Sequence, residues 1–213
     1  MPFRDELKDF IYRHVKSRPG PYTIACVLFT MGVIFGAIAV RIIDSAQRYE
    51  LRGYLYTFVR YFLEKPHIAT IRGAREAFLS PLQKAMTMVV AGISVIGAPV
   101  IPVMLFIHGF GIGFTVGLMV DEMALKGALM ACSALLPHSV LQVPAIIIIG
   151  AESLTFTWAW ISVKLFKTDV SLRQAFISTI LISAMMILVV AIAAAIEVYL
   201  TPVLLRSILG VLV

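Results

Sequence analysis

The chain has 213 residues, of which 60% are hydrophobic and only 14% charged, with a net charge of +6 and a mean hydropathy of +0.95. Soluble domains average roughly 45–50% apolar and about 25% charged residues, and a domain of this size leaves much of its area in water. Lipid is therefore the solvent, and a soluble enzyme, a nucleic-acid binder and a disordered tail are excluded.

Thirteen of the 18 bases fall in residues 1–21 and 41–84. These segments flank apolar runs, where bases set topology and meet anionic headgroups. Residues 1–21 carry Arg4, Lys8, Arg13, Lys16 and Arg18, and Phe3, Leu7, Phe10, Ile11 and His14 recur at helical spacing. The pattern predicts a basic amphipathic helix stopped by Pro19-Gly20-Pro21. No small-residue cleavage site follows, so a cleavable signal peptide is not expected.

The first span is predicted over 22–40, free of charge and long enough for a hydrocarbon core of roughly 30 Å. Gly32 and Gly36 within it form a G-x-x-x-G pair, a candidate face for another helix. Residues 41–84 form an amphipathic loop with eight bases and four acids. From Glu50 to Lys65, Leu51, Tyr54, Leu55, Phe58, Tyr61 and Phe62 share one face, with Glu50, Arg52, Tyr56, Arg60 and Glu64 opposite. Such a helix lies on the bilayer surface or covers a partner. Pro66 ends it, and a second helix is expected from Ile68 to Lys84.

Residues 85–213 are predicted to form the membrane bundle. Ala85–Ile107 reads as a span broken at Gly97-Ala98-Pro99 and Pro102, and His108–Gly113 as a glycine-rich turn containing Gly109 and Gly111. Gly109–Leu136 is either one span interrupted at Asp121, Glu122 and Lys126 or a re-entrant segment, which must be buried in protein or face water. Pro137-His138 reads as the next break, Leu141–Val163 as a span containing Pro144, and Ala175–Leu200 as the last. The fold class is all-α, a polytopic membrane helical bundle of about five transmembrane helices with broken or re-entrant segments and one amphipathic interfacial helix. A cytoplasmic N-terminus then places Lys164, Lys167 and Arg173 in the cytoplasm and the 41–84 loop outside.

No catalytic constellation emerges. His14, His67, His108 and His138 are scattered, without the one-turn spacing of a metalloprotease pair. Ser133 lies five residues before His138 in no strained G-x-S-x-G setting, and Asp121 has no second aspartate on another span. Cys26 and Cys132 sit in apolar stretches and suggest neither a disulfide framework nor a zinc site. Neither an enzymatic activity nor a cofactor or metal is expected. Ionisable residues within spans are functional candidates by default. For Asp121, Glu122 and Lys126 a membrane-surface loop is the simpler reading, and for Glu152 and Glu197 headgroup solvation. His138 is expected to bond carbonyls freed by Pro137.

The segments Gly92–Met123, Leu135–Ala151 and Ile196–Ile208, with G-F-T-V-G at 113–117 and E-x-Y-x-x-P-V at 197–203, resemble the stage II sporulation protein M family. The resemblance spans nearly the whole chain. Ser139 and Gln142 depart from a glycine and an acid common in the family, which argues against an essential carboxylate at 142. The resemblance implies a non-catalytic scaffold in the mother-cell membrane at the sporulation septum, acting in engulfment. It also implies two peptidoglycan-degrading partners, an amidase/endopeptidase and a lytic transglycosylase. Tyr54, Phe58 and Phe62, with Gly32 and Gly36, are the expected partner-binding residues. Membrane lipid is an expected partner, nucleic acid is not, and a homo-oligomer stays open. The alternative is a small-molecule or ion transporter or channel built on the broken helices.

Overall fold

The structure, a computed structural model, describes residues 19–64, 71–94, 97–167, 171–200 and residue 203. The predicted basic helix of 1–21 lies outside the described residues apart from its last three positions. Among the described residues the fold is all-α, with helices α1 (Pro19–Ile42), α2 (Ser45–Glu64), α3 (Ile71–Ile93), α4 (Gly97–Phe166) and α5 (Leu172–Tyr199). α1, α4 and α5 are long and apolar enough to cross a membrane. The protein is an all-α membrane bundle.

Pro19 and Pro21 open α1. A proline is tolerated in a first turn because its missing N–H would have had no intrahelical partner there. The buried residues Tyr22, Ala25, Phe29, Gly32, Gly36 and Val40 then recur every three or four positions and define one packed stripe.

α4 is continuous except at Ala124, whose φ of 48° and ψ of −125° are non-helical. There the chain folds back. Met119 and Ala131 pack together with Val116, Met123 and Leu135, and Gly150 lies against Leu105, so residues 97–123 and 125–166 form antiparallel arms. A left-handed φ on alanine costs of order 1–3 kcal/mol and persists only where the surroundings impose it. The tight approach of Gly127 to the Met119 carbonyl is that constraint.

Contacts across the bundle fix the remaining directions. Gly32 and Gly36 meet Phe106 and Phe110, while Gly109 and Gly113 meet Phe29 and Val33, so α1 and the first arm of α4 run parallel. Lys84 and Met88 of α3 face His108 and Met104 in the opposite sense. A turn closed by the Gly97 N–H on the Ser94 carbonyl joins the two helices. α5 is antiparallel to the second arm, with Phe176 edge-on to Phe156 and Glu197 facing His138. The chain thus runs along the bundle five times in alternating directions.

About five spans were expected; among the described residues five legs pack together, and α1, α4 and α5 are the helices long and apolar enough to cross a membrane. Two interruptions fall close to where the sequence marked them: the span 85–107, expected to break at Gly97-Ala98-Pro99, turns at 94–97, and 109–136, expected to be interrupted at Asp121, Glu122 and Lys126, reverses at Ala124. The breaks expected at Pro102, Gly109, Gly111, Pro137, His138 and Pro144 are helical, and Pro99 falls in the first turn of α4, just after the actual break. Packing explains the difference. Gly109 and Gly113 lack side chains where α1 backbone presses against α4. Prolines within membrane helices are tolerated because neighbouring helices compensate for the lost backbone bond.

Candidate functional site

Three polar layers punctuate the bundle. The first is the end where α4 folds back. Asp121 and Glu122 end its first arm, and α2 brings Arg48 and Arg52 to them. Arg48 Nη1 lies 2.6 Å from Asp121 Oδ2, and Arg52 Nε lies 2.5 Å from Glu122 Oε2. The arginines are one helical turn apart and the acids adjacent, so a single face of α2 meets one helix end. The Glu122 side chain is only 3% exposed, and a carboxylate so placed requires its cation. Glu122 in turn raises the Arg52 pKa, first by the hydrogen bond and then by its charge. Arg48 Nη2 also donates to the Val40 carbonyl at 3.0 Å, satisfying an acceptor left over at the end of α1.

Three tyrosines of α2 are turned outward. Tyr49, Tyr54 and Tyr56 are 79%, 75% and 55% exposed. Tyr54, an expected partner-binding residue, is therefore accessible. The side chains of Phe58 and Phe62 lie outside the described residues. Gly32 and Gly36 are not available to a partner, because a Cβ on either would overlap the α4 backbone at Phe106 or Phe110. Their G-x-x-x-G pattern serves an intramolecular contact.

If the arginines are what seats α2, Arg48→Glu with Arg52→Glu will raise proteolysis within α2 severalfold. Adding Asp121→Arg and Glu122→Arg should restore protection. Unchanged cleavage in the first variant would refute this seating.

The second layer joins α3, both arms of α4 and α5. Lys84, His108, His138, Gln142 and Glu197 surround one cavity. His138 Nε2 is 4.0 Å from Glu197 Oε2, and the His108 ring centroid is 6.1 Å from that of Phe29. His138 Nδ1 and His108 Nε2 are buried and form no hydrogen bond among the described residues. His138 thus faces Glu197 instead of bonding carbonyls released by Pro137. The Ser133 hydroxyl donates to the Met130 carbonyl at 2.9 Å.

The third layer lies at the other end of α1. Glu152 is fully buried and accepts a hydrogen bond from the Tyr22 hydroxyl at 2.6 Å. Thr157 donates to the Gly92 carbonyl at 2.9 Å, tying the second arm of α4 to α3. The expectation that headgroups solvate Glu152 is overturned, since helices enclose it. Glu197 is partly enclosed, between His138 and the cavity. Between the second and third layers, Met88, Leu105, Ile146, Ile149 and Val190 are at most 2% exposed.

Sequence reasoning missed the arginine seat, the Tyr22–Glu152 bond and the convergence around Lys84. A signal existed for the first: paired arginines at i and i+4 in the polar loop, and paired acids interrupting an apolar run. Among the described residues no group of histidine, cysteine and carboxylate side chains is arranged to hold a metal ion.

A family model described as stage II sporulation protein M matches residues 25–202. No curated protein and no solved structure gives a significant match.

Proposed function

This chain belongs to the stage II sporulation protein M family and is a sporulation membrane protein; from that premise we propose that it is a non-catalytic scaffold of the engulfment machinery. In this reading it sits in the mother-cell membrane at the septum and localises two peptidoglycan-degrading partners, an amidase/endopeptidase and a lytic transglycosylase. The observation that carries the proposal is the placement of α2. Two arginines fix one face of it to the fold-back of α4, while Tyr49, Tyr54 and Tyr56 remain exposed. Rigid aromatic side chains on a seated helix suit recognition of a partner's membrane-proximal segment, because they supply contact area at small entropic cost.

Charge supports the orientation. Lys164, Lys167 and Arg173 lie at the bundle end opposite α2, and the short connections of the cytoplasmic side favour bases. A single crossing by α1 then carries α2 to the wall-facing side. Transport is less well supported, because the apolar layer of Leu105, Ile146, Ile149 and Val190 separates the two buried polar layers. Flux of ions or small solutes in reconstituted vesicles would revive that alternative.

The test is a triple variant, Tyr54→Asp with Phe58→Asp and Phe62→Asp. We expect it to insert and accumulate normally while septal recruitment of the hydrolases falls to background. Normal recruitment by the stably inserted variant would refute the docking role of α2.

A further inference from the structure

We propose that the cavity between α3, α4 and α5 holds one phospholipid whose head carries both a phosphate and a primary ammonium, an ethanolamine-type head. The inference is independent of the scaffold reading. Two cavities share Lys84, His108 and Ile112 as a common wall. One, of about 200 Å³, is polar and adds His138, Gln142 and Glu197. The other, of about 390 Å³, is apolar and adds Met88, Met104, Ile107 and Ile146. Together they have the two-part lining an amphiphile needs, and the larger alone falls within the roughly 300–1,000 Å³ of small-molecule sites.

Lateral access to the hydrocarbon fits a lipid. His108 stands beside Phe29, inside the apolar length of α1, so the site opens within the bilayer. Ile107, on the wall of the apolar cavity, is 60% exposed, which gives lateral access from the hydrocarbon. The apolar cavity runs along the first arm of α4 from Met104 to Thr115, on both sides of Lys84 along the bundle axis.

Head chemistry follows from charge. The polar cavity holds one fixed cation, Lys84, and one carboxylate, Glu197, within electrostatic reach of each other. A purely anionic head would meet Lys84 but be opposed by Glu197; a quaternary ammonium could not donate a hydrogen bond to that carboxylate. Phosphate on Lys84 with ammonium on Glu197 satisfies both through charge-assisted hydrogen bonds. The buried His108 Nε2 and His138 Nδ1, unpaired among the described residues, supply further polar contacts. His138 is only 9% exposed, and its Nδ1 needs a partner that the cavity's occupant can provide.

The experiment is native mass spectrometry of the full chain in detergent. The protein is incubated with equal amounts of dioleoyl lipids bearing ethanolamine, glycerol or choline heads. We expect a single retained ethanolamine lipid, favoured over the glycerol lipid about tenfold. Glu197→Gln and Lys84→Gln should each reduce its retention about tenfold. Gly111→Leu, which places a side chain on the apolar wall where a Cβ meets nothing within 4 Å, should reduce retention without changing head preference. Equal or greater retention of the glycerol lipid, no retained lipid, or retention unaffected by Glu197→Gln would each overturn the proposal. The headgroup series on the unmodified protein decides the matter even if a variant fails to fold.

Discussion

Gly113→Leu is expected to leave little folded protein, whereas Gly111→Leu, two residues away on the same helix, is expected to accumulate almost normally. Both changes replace glycine by a strong helix former and gain about the same intrinsic propensity, close to 1 kcal/mol. They differ in what the new side chain meets. A Cβ at Gly113 would overlap the Val33 carbonyl and lie 2.8 Å from the Val33 Cα, whereas at Gly111 nothing lies within 4 Å. Val33 is backbone of a neighbouring helix and cannot rotate away, so α1 and α4 must separate.

That separation matters more in lipid than it would in water. Lipid tails are as apolar as the helices, so close van der Waals contact replaces the hydrophobic effect as the force between them. Gly32, Gly36, Gly109 and Gly113 alternate along one seam between α1 and α4, and a leucine there forfeits contact along its length. The expected loss exceeds the roughly 1–3 kcal/mol of ordinary overpacking. Monodisperse yield in detergent and the thermal midpoint measure it. Equal yield and midpoint for the two variants would show that the seam does not hold the bundle together.

Tyr22→Phe is expected to destabilise the protein by about 1–3 kcal/mol, the range for depriving a buried acceptor of its donor. It removes the 2.6 Å bond from the Tyr22 hydroxyl to Glu152, which ties the start of α1 to the second arm of α4 across 130 positions of sequence. Glu152 is fully buried, so water cannot replace that donor. Glu152→Gln keeps an acceptor for the tyrosine and should cost less than half as much. Glu152→Ala, which also empties the space, should cost more than Tyr22→Phe. Thermal unfolding in detergent ranks the three, and an unchanged midpoint for Tyr22→Phe would contradict the role given to this bond.

The same residues show how far the sequence reaches. Apolar runs and basic flanks were sufficient for an all-α membrane bundle, and the aromatic face at Leu51–Phe62 for a helix at α2. Inside 85–136 the interruptions near Gly97 and at Asp121–Lys126 were legible, but the helical course through His108–Gly113 was not. Glycine permits a tight turn and a close helix contact for the same reason, the missing Cβ, so Gly109 and Gly113 read as a turn until α1 is placed against them. The true reversal, at Ala124, carries no glycine or proline at its centre. Its conformation is imposed by packing of the two arms, a tertiary effect that no local propensity contains.

The polar layers were out of reach for a different reason. Glu152 looks like an interfacial acid because the sequence around it says nothing of Tyr22. Lys84, His108, His138 and Glu197 come from four separate legs, and each alone has a bland explanation. Only the antiparallel order of α3, the two α4 arms and α5 brings them to one depth. The arginine seat was more accessible, since Arg48, Arg52, Asp121 and Glu122 are paired in spacing as well as charge.

The placement of α2 outside the membrane is the claim on which the scaffold depends, and single-cysteine accessibility tests it most directly. In a background lacking Cys26 and Cys132, cysteines at Tyr56, Lys126 and Lys167, all exposed positions, are treated in intact cells with a membrane-impermeant thiol reagent. Labelling at 56 and 126 from outside, with 167 labelled only after permeabilisation, is the predicted result. Labelling at 56 only after permeabilisation would put α2 in the cytoplasm, where it could not recruit wall-degrading partners.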